Sequence, residues 1–296
     1  MRVLALFGPT GVGKTDVAIA LADQLRERGE DPVAVSCDAL QVYRGLEVLT
    51  GAASAEERDR LEHRMQGIAY ATEEFSAGRF AEHARGEIDS LLDDRRRPIV
   101  VGGTGLYLRA ALADLELRPP VAPEIREAVE REIAERGAEA VHAELEPDDA
   151  AAIHPNDRKR IARTLELQRA GLEPPPAGGG VLWTARLRHP TLLIGLTVDR
   201  DELALRIDVR VDRMVAAGAA DEVRRAMAAG ASRTARSAIG FEELLDGDVE
   251  AMKRAQRAYS KRQLTWMRRM EGVRLIDRTG RDDDDVAVAV VAALDA

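Results

Sequence analysis

Gly8-Pro9-Thr10-Gly11-Val12-Gly13-Lys14-Thr15 stands between an apolar pentapeptide, Val3 to Phe7, and a stretch of helical character from about Thr15 to Arg28. Gly-x-x-x-x-Gly-Lys-Thr in a strand–loop–helix setting reads as a phosphate-binding loop. The glycines let backbone N–H groups converge on phosphate oxygens, and the helix N-terminus adds partial positive charge. Lys14 supplies a point charge, and the Thr15 hydroxyl is placed to hold Mg²⁺. Gly8, Pro9, Thr10, Gly11, Val12, Gly13, Lys14 and Thr15 are therefore the expected seat of a diphosphate. The alternative is a glycine-rich turn without a ligand, which the complete match and its placement disfavour.

Working outward, Gly29 and Pro32 break the first helix, and Val33 to Cys37 reads as a second buried strand ending at Asp38. Glu56 to Arg64 and Phe80 to Asp94 read as helices, and Pro98 to Val101 as a third strand ending in Gly102-Gly103. This alternation implies a parallel sheet with crossover helices. From Pro119-Pro120 the pattern becomes charged and helical, with helices expected over Pro123 to Arg136, Glu139 to Leu145 and Asp157 to Ala170. A proline–glycine linker at 174–180 follows, and strand character returns at Thr191 to Val198. Long helices are expected near 200–217 and 248–270, a last strand at Val273 to Ile276, and a terminal helix after a charged turn at Arg281 to Asp285. The expected fold is α/β: a P-loop NTPase-like core with a central parallel sheet, formed by 1–114 and 189–296, carrying a helical insertion domain at 115–188.

Composition narrows the function classes. Among 296 residues, 45% are hydrophobic and 32% charged, the balance of a globular chain. Aromatic residues make up only 3%, which argues against stacking platforms for single-stranded nucleic acid. The net charge of −9 means that any nucleic-acid contact must use a local basic face. A single cysteine, Cys37, excludes an internal disulfide framework and fits a reducing, cytoplasmic setting. An N-terminus running straight into the glycine loop leaves no room for a signal peptide, and no apolar run approaches the roughly 18 residues of a membrane span. His63 could invite a catalytic or metal reading, but five histidines without a Cys/His cluster argue against zinc; Cys37, inside a strand, reads as core.

A phosphate loop does not by itself mean ATP. ATPases and GTPases usually carry a Walker-B acid at a later strand's end, whereas Pro98 to Val101 ends in Gly102-Gly103-Thr104-Gly105. The nearest strand-terminal acid is Asp38, placed as a base would be or capping the next turn. At 100° per residue, Leu203, Ile207 and Met214 share one helix face, with Arg210 projecting from its middle. A charge there is costly unless it is paired. It either reaches the phosphate site and stabilises charge on a leaving group, or forms a core-facing ion pair or snorkels. Thr10 and Thr104 lie at strand ends, where α/β sheets bind ligands; each can equally be a structural hydrogen bonder.

Five stretches, in order, resemble the tRNA dimethylallyltransferases, also called tRNA isopentenyltransferases. They are Gly8 to Thr15; Asp38-Ala39-Leu40-Gln41-Val42-Tyr43-Arg44; Gly102-Gly103-Thr104-Gly105-Leu106-Tyr107; Ile153-His154-Pro155-Asn156-Asp157 with Arg160-Ile161 and Leu165-Glu166; and Lys261-Arg262-Gln263-Leu264-Thr265-Trp266-Met267-Arg268. The glycine loop is common, but the last three are specific, and together they span nearly the whole chain. The resemblance implies transfer of the dimethylallyl group of dimethylallyl diphosphate to N6 of the adenosine just 3′ of the anticodon, with diphosphate leaving. It assigns catalysis to Asp38 as base, to Arg210 and Lys14 on the diphosphate, and to Thr104, which with Thr10 would line the reaction channel. It assigns tRNA contact to Asp38, Ala39, Leu40 and Gln41, to Lys159, Arg160, Ile161, Ala162 and Arg163, and to Ser237, Ala238, Ile239, Gly240, Phe241 and Glu242.

The expected partners are a tRNA anticodon stem-loop and dimethylallyl diphosphate, with Mg²⁺ as cofactor, and the chain is expected to be a monomer without a membrane partner. Lys253, Arg257 and Lys261 form a helical stripe that reads as either an RNA-backbone face or a solvated one. The chain departs from the family's usual pattern at Ala39, Leu49 to Ala53, Gln66-Gly67, Gly171 to Pro174 and Phe241-Glu242. Competing readings are a prenyltransferase acting on free adenine nucleotide, a P-loop small-molecule kinase, and an RNA-binding protein with a relict loop.

Overall fold

The computed structural model describes residues 1–115, 117–174 and 184–296. Its strands are β1 (Val3–Phe7), β2 (Pro32–Cys37), β3 (Tyr43–Arg44), β4 (His63–Arg64), β5 (Ala69–Tyr70), β6 (Arg97–Gly102), β7 (Thr191–Thr197) and β8 (Arg274–Asp277). The helices up to the insertion are α1 (Lys14–Glu27), α2 (Glu47–Thr50), α3 (Ala55–Arg60), α4 (Ala77–Asp93) and α5 (Gly105–Leu112). Next come α6 (Pro123–Arg136), α7 (Ala138–His142), α8 (Pro147–Ala152) and α9 (Arg158–Arg169). The last are α10 (Arg200–Ala216), α11 (Ala219–Ala228), α12 (Arg233–Arg236), α13 (Phe241–Leu245), α14 (Val249–Arg269) and α15 (Asp283–Asp295).

Two compact units result: Met1–Asp114 with Ala185–Ala296, and Leu115–Thr184. The first is built on a six-stranded sheet of order β4-β2-β6-β1-β7-β8, with every pairing parallel. β1 is buried along its whole length, as an unbroken apolar run in a doubly covered parallel sheet must be. Leu4 and Leu6 pack into a core with α1 residues Val17 and Leu21 and α15 residues Val286 and Val290. The alternate residues Val3, Ala5 and Phe7 are buried on the opposite face, where α4 and α5 cover β2 and β6. Because β6 lies between β1 and β2, the ends of β1 and β2 flank the glycines that close β6.

In the second unit, α6, α7 and α9 pack around Val129, Ile133, Val141, Leu145, Ile153, Ile161 and Leu165. The Ile153-to-Asp157 stretch forms the turn into α9. Asp157 N–H donates to His154 O at 2.8 Å, and the Asp157 carboxylate caps the helix by accepting Arg160 N–H at 3.2 Å.

Several elements differ from the sequence expectation. The helix expected to run to Arg64 ends at Arg60, and His63–Arg64 instead pairs with Ala34 and Val35 as an edge strand. Ser54 and Glu57 form a capping box that fixes where this short helix starts. Helices α2, α5, α8, α11, α12 and α13 lie where no helix was read. They are short, and α5 begins at a glycine that sequence rules assign to a loop. The chain returns to the first unit at Ala185, where Arg188 N–H donates to Leu112 O at 2.9 Å. Beyond Pro174, the expected proline–glycine linker lies outside the described residues.

Candidate active site

The loop leaves β1 at Gly8, whose N–H donates to Gly102 O at 3.3 Å, and enters α1 at Lys14. Gly11 and Gly13 have φ of +80° and +86°, a region closed to most side chains, and Gly13 is the N-cap of α1. Lys14 is half-buried overall, but its ammonium turns inward and donates to Gly8 O at 3.0 Å and Pro9 O at 2.9 Å. Burial pushes its pKa down to about 7. The nearby Arg210 guanidinium adds to that shift, and the Asp38 carboxylate opposes it.

Asp38 follows the last residue of β2. Its Oδ1 accepts Leu40 N–H at 2.9 Å, an Asx-type turn that fixes the plane of the carboxylate. Among the described residues no hydrogen bond engages Oδ2. Arg210 projects from the face of α10 that buries Leu203, Ile207, Val211 and Met214, as its spacing predicts. The side chain lies tightly against Gly51: a Cβ there would sit 1.9 Å from Nη2. Burial pulls the Arg210 guanidinium below its ordinary range, and the facing Asp38 holds it up. Lys14, Asp38 and Arg210, which are scattered through the sequence, thus lie within electrostatic reach of one another.

The end of β6 explains why no Walker-B acid stands there. A Cβ on Gly103 would lie 2.2 Å from Gln263 Nε2 and 2.9 Å from Gly8 O, and one on Gly105 would lie 2.2 Å from Trp266 Cε3. Both positions are glycine because α14 packs directly onto this strand end. From α14, Gln263 Oε1 accepts Thr10 N–H at 2.8 Å, and Tyr259 OH pairs with Thr104 Oγ1 at 2.6 Å. Thr10 and Thr104 are therefore joined to the same helix. Sequence reading placed Lys261 to Arg268 in a family motif without seeing this role. The signal available was the pairing of small residues in one motif with Gln263 and Trp266 in the other.

Tyr107 and Tyr259 are also drawn into this region. Burial pushes each up to about 12, and the Asp38 charge adds to the shift in both. Two further residues were given no role from the sequence. Tyr43, almost fully buried, bonds Thr234 Oγ1 at 2.5 Å. Arg278, 4% exposed, reaches the back of the loop and donates to Val12 O.

The remaining expected residues separate by exposure. Gln41 spends its amide on Ser36, Gly51 and Gln66, locking the loop after Asp38 to its neighbours. Ala39 and Leu40 are half-buried beside it. Ser237 is exposed, and its hydroxyl donates to Thr234 O at 2.7 Å. Ala238, Gly240 and Phe241 are buried, Ile239 is half-buried, and Glu242 pairs with Arg236 at 2.8 Å. In the helical unit, Ile161 and Ala162 belong to the core at 0% and 7% exposure. Arg163 is tied to Glu166 and to the carbonyls of Arg118 and Pro119. Lys159 and Arg160 are exposed.

The Lys253–Arg257 part of the basic stripe faces α10 rather than solvent. Lys253 pairs with Asp212 at 2.8 Å, and Arg257 with Asp208. Lys261, one turn further, is exposed. His63 Nδ1 lies 2.6 Å from Leu61 O, and burial lowers its pKa; Cys37 is buried, and burial raises its thiol. Neither bears on the chemistry.

Among the described residues there is no group of three or more His, Cys, Asp or Glu able to hold a metal. Near the loop the donor set is the Thr15 hydroxyl. A single hydroxyl is compatible with Mg²⁺, which keeps several waters and takes part of its shell from substrate phosphates. No helix of the described residues is long and apolar enough to cross a membrane.

Comparison with known proteins gives consistent family matches along the chain. An IPP transferase family model matches residues 41–270, and an isopentenyl transferase model matches residues 1–67. The tRNA dimethylallyltransferase of Thermobifida fusca is 37% identical over 98% of this chain and 94% of its own length. That of Alkaliphilus oremlandii is 35% identical over 92% and 90%. The crystal structure of full-length tRNA isopentenylpyrophosphate transferase from Bacillus halodurans superposes with a TM-score of 0.71 at 33% identity, covering 99% of this chain and 95% of that one. A eukaryotic dimethylallyltransferase acting on tRNA shares the fold, with a TM-score of 0.74 at 24% identity over 98% of this chain and 77% of its own.

Proposed function

The chain belongs to the IPP transferase family, and from that premise we propose that it transfers the dimethylallyl group of dimethylallyl diphosphate to N6 of the adenosine 3′-adjacent to the anticodon of tRNA. The observation that carries the proposal is the convergence of Lys14, Asp38 and Arg210 at the C-terminal ends of the strands of a parallel sheet. One carboxylate faces two cations, beside a loop shaped for phosphate. This suits a reaction in which a proton must leave one reactant and a diphosphate must leave the other.

In the proposed step, the adenosine N6 attacks C1 of the dimethylallyl group. The C1–O bond breaks, its electron pair leaves with diphosphate, and the N6 proton passes to Asp38. The adenine amine is a weak nucleophile because its lone pair is delocalised into the ring. A carboxylate that accepts its hydrogen both orients it and removes the proton as the C–N bond forms. Leu40 N–H holds Oδ1, leaving Oδ2 for that hydrogen. The loop N–H groups and Lys14 cradle the diphosphate, and Arg210 stabilises the charge that grows on it. Mg²⁺, held by Thr15 and the diphosphate, would neutralise further charge on the leaving group. An acceptor base inside an RNA loop must be swung out of its stack to reach Asp38. Lys159 and Arg160 on the helical unit, and Ser237 and Glu242 on the sheet unit, are the exposed members of the expected tRNA-contacting segments.

The test is transfer of labelled dimethylallyl from its diphosphate with Mg²⁺, offering an anticodon stem-loop, AMP or no acceptor, alongside ATP turnover. Label should appear on the stem-loop, and Asp38→Ala should cut transfer by about 10²–10⁴-fold while leaving donor binding intact. Label on AMP alone, or phosphoryl transfer from ATP without prenylation, would refute the reading. Near-normal turnover by Asp38→Ala would remove its role as base.

A further inference from the structure

We infer that Arg278 is a positioning residue for the diphosphate: it braces the phosphate-binding loop from behind and turns two backbone N–H groups toward the anion. The inference rests on the diphosphate reading of the loop.

Arg278 follows β8, and its backbone N–H donates to Thr197 O at 2.9 Å, so its Cα is fixed at the sheet's edge. Its side chain runs under the loop. Nη1 donates to Val12 O at 2.5 Å and to Gly13 O at 3.3 Å. Nη2 donates to the Asp283 carboxylate at 2.8 Å, in the first turn of α15, which holds the guanidinium in plane. The approach is close enough that a Cβ on Gly13 would lie 1.9 Å from Nη1. Gly13 is therefore glycine for two separate reasons, its φ of +86° and the arginine beneath it.

The consequence for binding follows from peptide geometry. In a trans peptide unit the C=O and the N–H point in opposite directions. Drawing Val12 O down onto Arg278 turns the Gly13 N–H the other way. Drawing Gly13 O down does the same for Lys14 N–H. These two N–H groups stand at the positively polarised N-terminus of α1, where helical donors lack intrahelical partners. Gly13 O also accepts Val17 N–H at 3.1 Å as the first helical bond, so the brace and the helix fix one peptide plane together. A preorganised cradle binds an anion without first reorienting its donors. The role is positional: Arg278 touches the loop's carbonyls and never the substrate.

A purely structural arginine elsewhere on the sheet provides the control. Arg97 is 8% exposed, pairs with Glu30 at 2.5 Å and donates to Arg2 O. The experiment measures the Kd of inorganic diphosphate by calorimetry for wild type, Arg278→Met, Arg278→Lys, Asp283→Asn and Arg97→Met. It is paired with KM values for dimethylallyl diphosphate and for tRNA. Arg278→Met should raise the diphosphate Kd and the donor KM at least tenfold with tRNA KM within twofold. Arg278→Lys should recover part of that loss. Asp283→Asn, which keeps the arginine but loosens it, should raise Kd about threefold, so the inference stays testable if Arg278→Met does not fold. Arg97→Met should lower Tm and leave Kd unchanged. Diphosphate Kd values within twofold of wild type in both Arg278→Met and Asp283→Asn would overturn the inference. So would equal losses in Arg97→Met. A wild type that binds diphosphate but transfers no dimethylallyl group refutes the transfer reading alone, and the Arg278 comparison then stands on Kd.

Discussion

Gly105→Ala isolates the packing of α14 on the end of β6. The new methyl carbon would start 2.2 Å from Trp266 Cε3, 3.0 Å from Cζ3 and 3.1 Å from Cδ2. Carbon atoms rest at about 3.5–4.0 Å, so the indole must retreat by roughly 1.5 Å. Two energies compete. Alanine at the first residue of α5 gains about 0.5–1 kcal/mol over glycine in helix propensity. Overpacking of a filled contact costs about 1–3 kcal/mol, and here the atom met is the rigid ring itself, so the cost wins. Thermal denaturation should show Tm lowered by a few degrees. The larger effect should be on catalysis, because Gln263 and Tyr259 on the same helix hold Thr10 and Thr104. A displacement of about 1 Å in such a frame can cost 10²-fold in rate. Single-turnover transfer should therefore fall far more than stability does. A double-mutant cycle with Trp266→Leu checks the cause. The added methyl and the lost ring should compensate, giving a coupling of about 1 kcal/mol or more in stability. A Gly105→Ala protein with transfer within threefold of wild type, or a cycle additive within about 0.5 kcal/mol, would refute the reasoning.

Two further outcomes are expected. With the Lys14 pKa pushed down to about 7, diphosphate binding at pH 8 should take up a proton, seen as a buffer-dependent enthalpy that Lys14→Met abolishes. The same shift means that the unfolded chain holds this proton between about pH 7 and 10.5. The contribution of Lys14 to stability should therefore rise with pH across that window, and a Tm-versus-pH slope unchanged in Lys14→Met would contradict it. Arg257→Ala should cost no more than about 1 kcal/mol, the worth of a partly exposed ion pair, and should leave the salt dependence of tRNA binding unchanged. Lys159→Ala should reduce that slope by about one, and the reverse pattern would place the RNA contact on the α14 stripe.

The sheet was legible because its signals are local. Val3 to Phe7, Val33 to Cys37 and Thr191 to Val198 are short apolar runs of the kind doubly covered strands need, and their boundaries fall within a residue of β1, β2 and β7. Pro123–Arg136 was likewise legible from its N-terminal proline and terminal glycine. The edge strand at His63–Arg64 was not. It is two residues long, carries charge, and exists only because Ala34 and Val35 offer it backbone partners. At the site, position marked the loop and singled out Asp38 as the strand-terminal acid, while leaving open whether it is a base or a turn cap; the structure shows that its Oδ1 does cap the turn. The basic stripe could not be resolved, because helical periodicity puts Lys253 and Arg257 on one face without saying what that face meets. It meets Asp212 and Asp208 at the matching spacing on α10, and a charge pattern becomes a packing seam only when both helices are known.

The same reasoning shows why this loop serves a different chemistry from that of its nucleotide-hydrolysing counterparts. In a sheet ordered β2-β6-β1, the end of β6 is the position nearest the phosphate loop, and an acid there would hold a metal against a triphosphate. Here that position is surrendered to glycine so that Gln263 and Trp266 can come in from α14. The carboxylate sits instead one strand further out, on Asp38. From there it lies within electrostatic reach of Arg210 and Lys14. In the proposed reaction, moving the acid one strand away separates the group that would take a proton from the groups that would hold the leaving anion. A bimolecular transfer needs that separation, because two substrates must fit between them. Exchanging the roles, by Gly103→Asp with Asp38→Asn, should therefore restore neither transfer nor hydrolysis: the new side chain would start against Gln263 Nε2 and Gly8 O, in space that α14 already fills.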